Sequence, residues 1–300
     1  MDSHRNTSLA TLIVIATGAL WGFYWLPVRQ LAQITLPGAW GTVAIVSAAM
    51  LMLLPFAIKG RQSLANASPM ALASIALGGV AFMLYSVAFV YGRVAIIILL
   101  FFLTPVWSTL IGRYVMGWPT PRLRIMAIAI GLVGLAIMLG ADGGIPLPQG
   151  TGEWLALLSG LLWSFATTGI RAKAELEPGA ASFVFAAGAS AGALVLAPIL
   201  EPFPDAISLE AIWPAIGWVL AAGGLWWGAS MVGLMWAAPR LDPARVGILL
   251  MSEVLIGTVS AAILAGEHLQ VFEIIGGGLV LCAGVLEVWP IRQHKSPEPK

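Results

Sequence analysis

Apolar runs of about 20 residues, parted by short polar or glycine- and proline-rich breaks, recur along the whole chain at 8–30, 38–58, 69–91, 94–115, 123–140, 153–171, 179–200, 211–237, 243–265 and 271–288. At a rise of about 1.5 Å per residue, one such run crosses a hydrocarbon core of ~30 Å. The pattern predicts ten transmembrane helices and leaves no segment for a soluble domain. The first run is too long for the core of a signal peptide and lacks a small-x-small cleavage site, so it is expected to be retained as the first span.

The runs fall into two matching sets. Gly18-Ala19-Leu20-Trp21-Gly22-Phe23 leads on to Arg29, and Gly160-Leu161-Leu162-Trp163-Ser164-Phe165 leads on to Arg171, so G-x-L-W-x-F-x5-R occurs twice with every offset kept. Gly131-Leu132-Val133 in the fifth run returns as Gly278-Leu279-Val280 in the tenth. A five-span unit repeated in one chain must reverse its orientation, because its second copy starts where the first ended. The expected fold is therefore an all-α membrane protein of ten spans in two inverted five-helix repeats, 1–140 and 153–300, joined by a Gly/Pro-rich linker at 141–152. Inverted repeats of this kind are the architecture of secondary transporters.

Composition excludes most alternatives. Hydrophobic residues make up 59% and charged residues 10% of the chain, against roughly 45–50% and about 25% in soluble domains. With both termini cytoplasmic, only Arg29 and Arg93 of the 15 Lys and Arg residues lie in outer loops, leaving 13 inside. That is the asymmetry of the positive-inside rule, and it places the linker in the periplasm. A net charge of +1 gives no reason to expect a nucleic-acid partner. The single cysteine, Cys282, excludes an intrachain disulfide. His4, His268 and His294 fall in tails and a loop with no ligand spacing, so neither a metal nor a cofactor is expected. A membrane-embedded enzyme would need a nucleophile and base at a common depth. The sequence offers none, and no enzyme is expected.

Chemistry concentrates in the fourth run of each half. Thr104-Pro105 and Ser252-Glu253 each interrupt their run about ten residues from its start. Pro105 either assists packing or frees a carbonyl at mid-depth. Glu253 is the one acidic residue deep within a span, where a charge costs a few kcal/mol on insertion scales; it either serves a site or ties two helices together. The tryptophans divide by depth. Trp40, Trp118, Trp154, Trp213 and Trp289 lie at run ends, where indoles settle at the headgroups. Trp21, Trp107, Trp163, Trp226 and Trp227 lie near run centres. Stripes at helical spacing such as Thr17/Trp21/Tyr24, Gly78/Phe82/Tyr85, Phe101/Thr104/Ser108 and Gly160/Trp163/Thr167 mix rings with small or hydroxylated residues. Such stripes suit either packed cores or a cavity that stacks on a planar ligand.

Taken together, the two five-helix repeats, the G-x-L-W element heading each, the proline or glutamate in the fourth helix, and Gly266-Glu267 before a glycine-rich last helix resemble the drug/metabolite transporter superfamily of the EamA type. Within it the chain is most similar to the YddG-type exporters of aromatic amino acids. The resemblance implies a basket of ten helices, a central cavity lined by helices 1, 3, 4, 6, 8 and 9, and export from cytoplasm to periplasm across a bacterial inner membrane. On that reading Trp21, Tyr85, Phe101, Trp163 and Trp226 supply ring-stacking walls. Thr104, Thr167, Ser252 and the carbonyls near Pro105 meet the ammonium and carboxylate of an amino acid, and Glu253 is a cation partner or proton carrier. One departure stands out: the first half has Gly117-Trp118-Pro119 where the superfamily often has Gly-Glu. A broader drug or metabolite exporter, or a structural bundle, are the competing expectations. A nucleotide cargo ranks low, because no cationic side chain lies at depth.

Overall fold

The computed structural model describes residues 2–117, 122–141, 143–173, 176–205, 207–241 and 243–288. Trp118, Pro119, Trp289, Arg292, His294, Lys295, Lys300 and position 142 of the linker lie outside the described residues, as do the side chains of His4, Arg5, Arg171 and Lys173. Among the described residues every regular element is a helix: α1 (Asp2–Gly22), α2 (Trp25–Ile34), α3 (Trp40–Lys59), the short α4 (Arg61–Asn66), α5 (Pro69–Tyr91), α6 (Val94–Phe101), α7 (Thr104–Tyr114), α8 (Arg122–Leu139), α9 (Thr151–Lys173), α10 (Pro178–Leu200) and α11 (Leu209–Ala221) lead to a π-helical stretch, Ala222–Ala229. After it come α12 (Ser230–Ala237), a tight turn at Ala238–Arg240, α13 (Pro243–Leu250), α14 (Ser252–Leu264) and α15 (Val271–Val288).

Among the described residues eight helical stretches are long and apolar enough to cross a membrane, which suits a multi-pass membrane protein. The other two predicted runs are helical but fall short of that measure. In α9, Ser159, Ser164, Thr167 and Thr168 dilute the apolar run. Three of these hydroxyls bond back within the helix, to the carbonyls of Gly160, Trp163 and Ser164, which removes most of their cost in an apolar setting. In α15 the described apolar stretch is Val271–Leu286, within a helix that runs to Val288.

Four runs that the sequence presents as continuous are broken in the structure. Two breaks coincide with the expected interruptions. The chain turns at Phe102–Leu103 so that α7 starts at Thr104-Pro105, where a proline has no amide to lose from the first turn, and α14 starts at Ser252-Glu253 after a turn at Met251. The other two were not expected: α1 and α2 part at Phe23–Tyr24, and the glycines at 223, 224 and 228 accompany the π-helical stretch that carries Trp226 and Trp227. Insertions of this sort re-aim side chains and are frequent at functional sites.

At the centre, Ala81–Phe89 of α5 and all eight residues of α6 are buried. α5 packs along α9 and α10, α3 lies against α10, α8 pairs with α15, and α1 lies against α12, α13 and α14. Small residues permit the closest approaches. A Cβ built on Gly134 would lie 2.6 Å from the carbonyl of Gly276, and one built on Gly276 would lie 2.5 Å from that of Gly134, so α8 and α15 touch backbone to backbone. Large apolar side chains such as Leu12, Leu51, Val195 and Ile263 face outward, the surface a lipid-embedded bundle presents.

Candidate functional site

Glu253 is the second residue of α14, and the break before it places its carboxyl inside the bundle with 1% of its surface exposed. The Tyr85 hydroxyl on α5 donates to Glu253 Oε1 at 2.8 Å. This contact engages one of the two oxygens, and a carboxyl can accept at both. A buried carboxyl with spare acceptor capacity is costly to keep as mere packing.

Rings enclose this pair. Tyr85 stacks on Phe101, the last residue of α6, with centroids 4.4 Å apart and planes 27° from parallel. Phe101 meets Trp163 edge-on at 6.0 Å, and Trp163 meets Phe185 at 6.1 Å. Phe82 is the hub, with Trp21 and Trp227 each at 4.9 Å and Tyr24 stacked at 5.6 Å. Of the expected ring walls, Trp21, Tyr85, Phe101 and Trp163 therefore belong to one cluster. Trp226 joins it at the margin through Tyr24, at 6.4 Å, while its Nε1 donates to the Leu20 carbonyl beside the break between α1 and α2.

The polar positions are placed differently from expectation. Pro105 has no N–H, which deprives the Phe101 carbonyl four residues back of its helical donor; the Thr104 hydroxyl donates to that carbonyl. The freed acceptor is therefore taken within the chain. Ser164 reaches the Thr104 carbonyl at 2.9 Å, tying α9 to the start of α7. Thr167 donates to the Trp163 carbonyl and Ser252 to the Leu249 carbonyl, at 2.9 and 2.8 Å. All four hydroxyls thus spend their proton on backbone and present lone pairs, a surface suited to an ammonium rather than to a carboxylate.

A second polar chain, absent from the expected site, lies behind the rings. The Trp227 Nε1 donates to Tyr24 Oη at 2.7 Å, Tyr24 Oη and Ser86 Oγ are 2.8 Å apart, and Thr42 Oγ1 is 2.8 Å from the same Ser86 Oγ. The Trp21 Nε1 donates to Ser230 Oγ and the Trp25 Nε1 to Ser260 Oγ. Buried indoles and phenols require such partners, so hydroxyls opposite mid-run tryptophans were the available signal. Trp107 Nε1 and Thr109 Oγ1 on α7 are buried without a partner. Among the expected headgroup tryptophans, Trp154 and Trp213 are 55% and 78% exposed at helix starts. Trp40 instead packs edge-on against Phe203 and donates to the Glu201 carbonyl.

No family model matches the chain, and no curated protein matches it. Among solved structures, one described only as a crystal structure of a protein superimposes with a TM-score of 0.58 over 92% of this chain and 97% of its own, at 19% identity. That likeness concerns the fold alone.

Proposed function

We propose that the protein is a secondary transporter of a bacterial inner membrane that exports aromatic amino acids and similar amphiphilic metabolites from cytoplasm to periplasm by alternating access. The observation that carries this reading is Glu253, a buried carboxyl with one oxygen engaged by Tyr85, set among the rings of Tyr85, Phe101 and Trp163. An aromatic side chain and an ammonium on one small cargo match that pairing of ring faces with a carboxyl and hydroxyl lone pairs. The cargo carboxylate would lie near the starts of α7 and α14, where the helix dipole favours negative charge, the Val106, Trp107, Val254 and Leu255 amides themselves being bonded to the Leu103 and Met251 carbonyls.

Several features support two inverted five-helix repeats. The breaks at Thr104 and Ser252 fall at equivalent points of the two halves. Exchanging the halves converts the packing of α9 on α5 into that of α1 on α12, and the packing of α9 on α6 and α7 into that of α1 on α13 and α14. The pairs α3 with α10 and α8 with α15 map onto themselves. Gly117 and Gly266, after the fourth helix of each half, turn the chain with φ of 68° and 65°.

The test is reconstitution. Purified protein in liposomes should carry tryptophan and phenylalanine faster than protein-free liposomes and faster than the Glu253→Gln variant. Absence of flux for every aromatic amino acid, from protein shown to be folded, would overturn the proposal.

A further inference from the structure

We infer that α6 is a plug closing the outer side of the protein, and that the carboxylates of Glu267 and Glu273 clamp it shut. The geometry stands by itself; its consequence for transport rests on the function proposed above. α6 is apolar throughout and buried on every face. Its start is held by charge. Glu267, in the loop between α14 and α15, accepts from the Val94 amide at 2.8 Å through Oε1 and from the Ala95 amide at 3.2 Å through Oε2, capping the first turn. Arg29 donates to the same carboxylate at 3.0 Å and to the Phe89 and Gly92 carbonyls at the end of α5, at 2.9 and 2.7 Å. Arg93, immediately before α6, grips both oxygens of Glu273 and also donates to the His268 carbonyl.

These pairs differ from ordinary surface pairs. The side chains of Glu267 and Glu273 are 10% and 5% exposed, against 23% and 40% for Arg29 and Arg93, so the carboxylates are the desolvated members, and loss of Glu267 also frees the two first-turn amides of α6. The clamp also joins the two sequence elements left without a role by the ring site: the arginine closing the repeated G-x-L-W-x-F-x5-R motif and the glutamate of Gly266-Glu267.

The two repeats differ in sequence at the clamp. Arg171 is the counterpart of Arg29, and Gly117 that of Gly266 with the same left-handed turn. The residue after Gly117 is Trp118, not a glutamate. The glutamate of the outer clamp therefore has no counterpart at that position of the first half, and the outer ion pairs favour the outer-closed form over the outer-open one by whatever they contribute. A transporter resting in that form loads from the cytoplasm, the direction export requires.

The experiment measures opening without any cargo. In a Cys282→Ala background, Ala95→Cys places a thiol in the first turn of α6, and an impermeant maleimide is applied from outside. Adding Glu267→Gln should speed labelling about tenfold or more and accelerate amide exchange across 94–101, while exchange in α8 and α10 stays unchanged. Glu210→Gln, on an exposed helix start, should change neither quantity. If Glu267→Gln does not reach the membrane, Arg29→Gln reads the same opening. Unchanged labelling and exchange alongside normal tryptophan flux would overturn the clamp and leave the transporter reading standing. Faster labelling with no flux from any variant or the wild type would support the clamp and overturn the transporter reading.

Discussion

Glu253→Gln separates a carboxyl that handles cargo from one that only joins helices. The introduced amide has nearly the same shape and keeps an oxygen in place of Oε1, so Tyr85 can still donate across the 2.8 Å now observed. What is lost is the capacity to ionise or to carry a proton, together with half of the acceptor capacity. If the pair only joins α5 to α14, the substitution should change stability by under about 1 kcal/mol, since side-chain hydrogen bonds between membrane helices average ~0.6 kcal/mol and reach ~1.7. If the second oxygen meets an ammonium, cargo loses a partner in a desolvated site. Truncating one member of a buried pair costs about 3–5 kcal/mol, and each ~1.4 kcal/mol is a factor of ten. The expected result is a folded variant whose tryptophan counterflow in liposomes falls by at least about tenfold at matched protein. An imposed proton gradient then distinguishes the two functional roles: gradient-driven flux in the wild type that vanishes in the variant makes Glu253 a proton carrier, and insensitivity in both makes it the ammonium partner. Counterflow by Glu253→Gln within about twofold of wild type would refute the argument and reduce the residue to a helix tie.

Tyr85→Phe keeps the ring stacked on Phe101 but removes the hydroxyl, and should lower thermal stability by about 1–2 kcal/mol with a smaller transport loss than Glu253→Gln, as read by thermal unfolding in detergent and by flux. Trp163→Phe should reduce flux of tryptophan several-fold while Trp154→Ala, at an exposed helix start, leaves it near normal; equal effects in the flux assay would mean that depth had been mistaken for function. Leu147→Cys, in the exposed linker, should react with an impermeant maleimide from outside intact cells in a Cys282→Ala background, and labelling confined to inverted vesicles would reverse the proposed orientation. Gly134→Ala puts a methyl 2.6 Å from the Gly276 carbonyl and 3.0 Å from the Val280 amide; neither backbone atom can step aside, so a loss of about 1–3 kcal/mol is expected in thermal unfolding, with no change in cargo preference.

The apolar periodicity made helix positions legible because hydrocarbon thickness dictates run length, and helix existence follows from the need to satisfy every backbone group internally. Breaks were legible only where chemistry marks them. Pro105 and Glu253 disturb an otherwise uniform run, and both sit at the start of a half-helix. The parting at Phe23–Tyr24 and the π-helical stretch at Ala222–Ala229 carry no such mark, since glycine is common in membrane helices and Gly22 or Gly223 looks like any other. The ring cluster was half legible. Depth found Trp21, Tyr85, Phe101 and Trp163, but the hub at Phe82 depends on which faces of five helices meet, which one sequence does not state. The hydroxyl roles came out altered for a local reason: Thr104, Thr167 and Ser252 can each reach a carbonyl three or four residues back, and within a helix that bond wins over waiting for a ligand.

The packed rings bear on affinity under the proposed function. A cargo ring that enters beside Glu253 must part Tyr85 from Phe101, now stacked at 4.4 Å, and then stack on one or both. An aromatic pair contributes about 0.5–1.5 kcal/mol beyond its buried area, so exchanging an internal pair for a pair with cargo nearly cancels. Net binding then comes from the carboxyl contact and the second ring face, and it stays weak. Weak binding suits export, because cargo held by uncancelled ring contacts would leave slowly. The same exchange sets selectivity. An aliphatic amino acid parts the rings without replacing their contact and so carries the full loss, whereas an aromatic one restores it. Aromatic over aliphatic preference should therefore shrink in Tyr85→Leu, where no stacked pair exists to be broken, and competition of leucine against labelled tryptophan measures it; an unchanged preference would place the discriminating contact elsewhere than on the Tyr85–Phe101 stack.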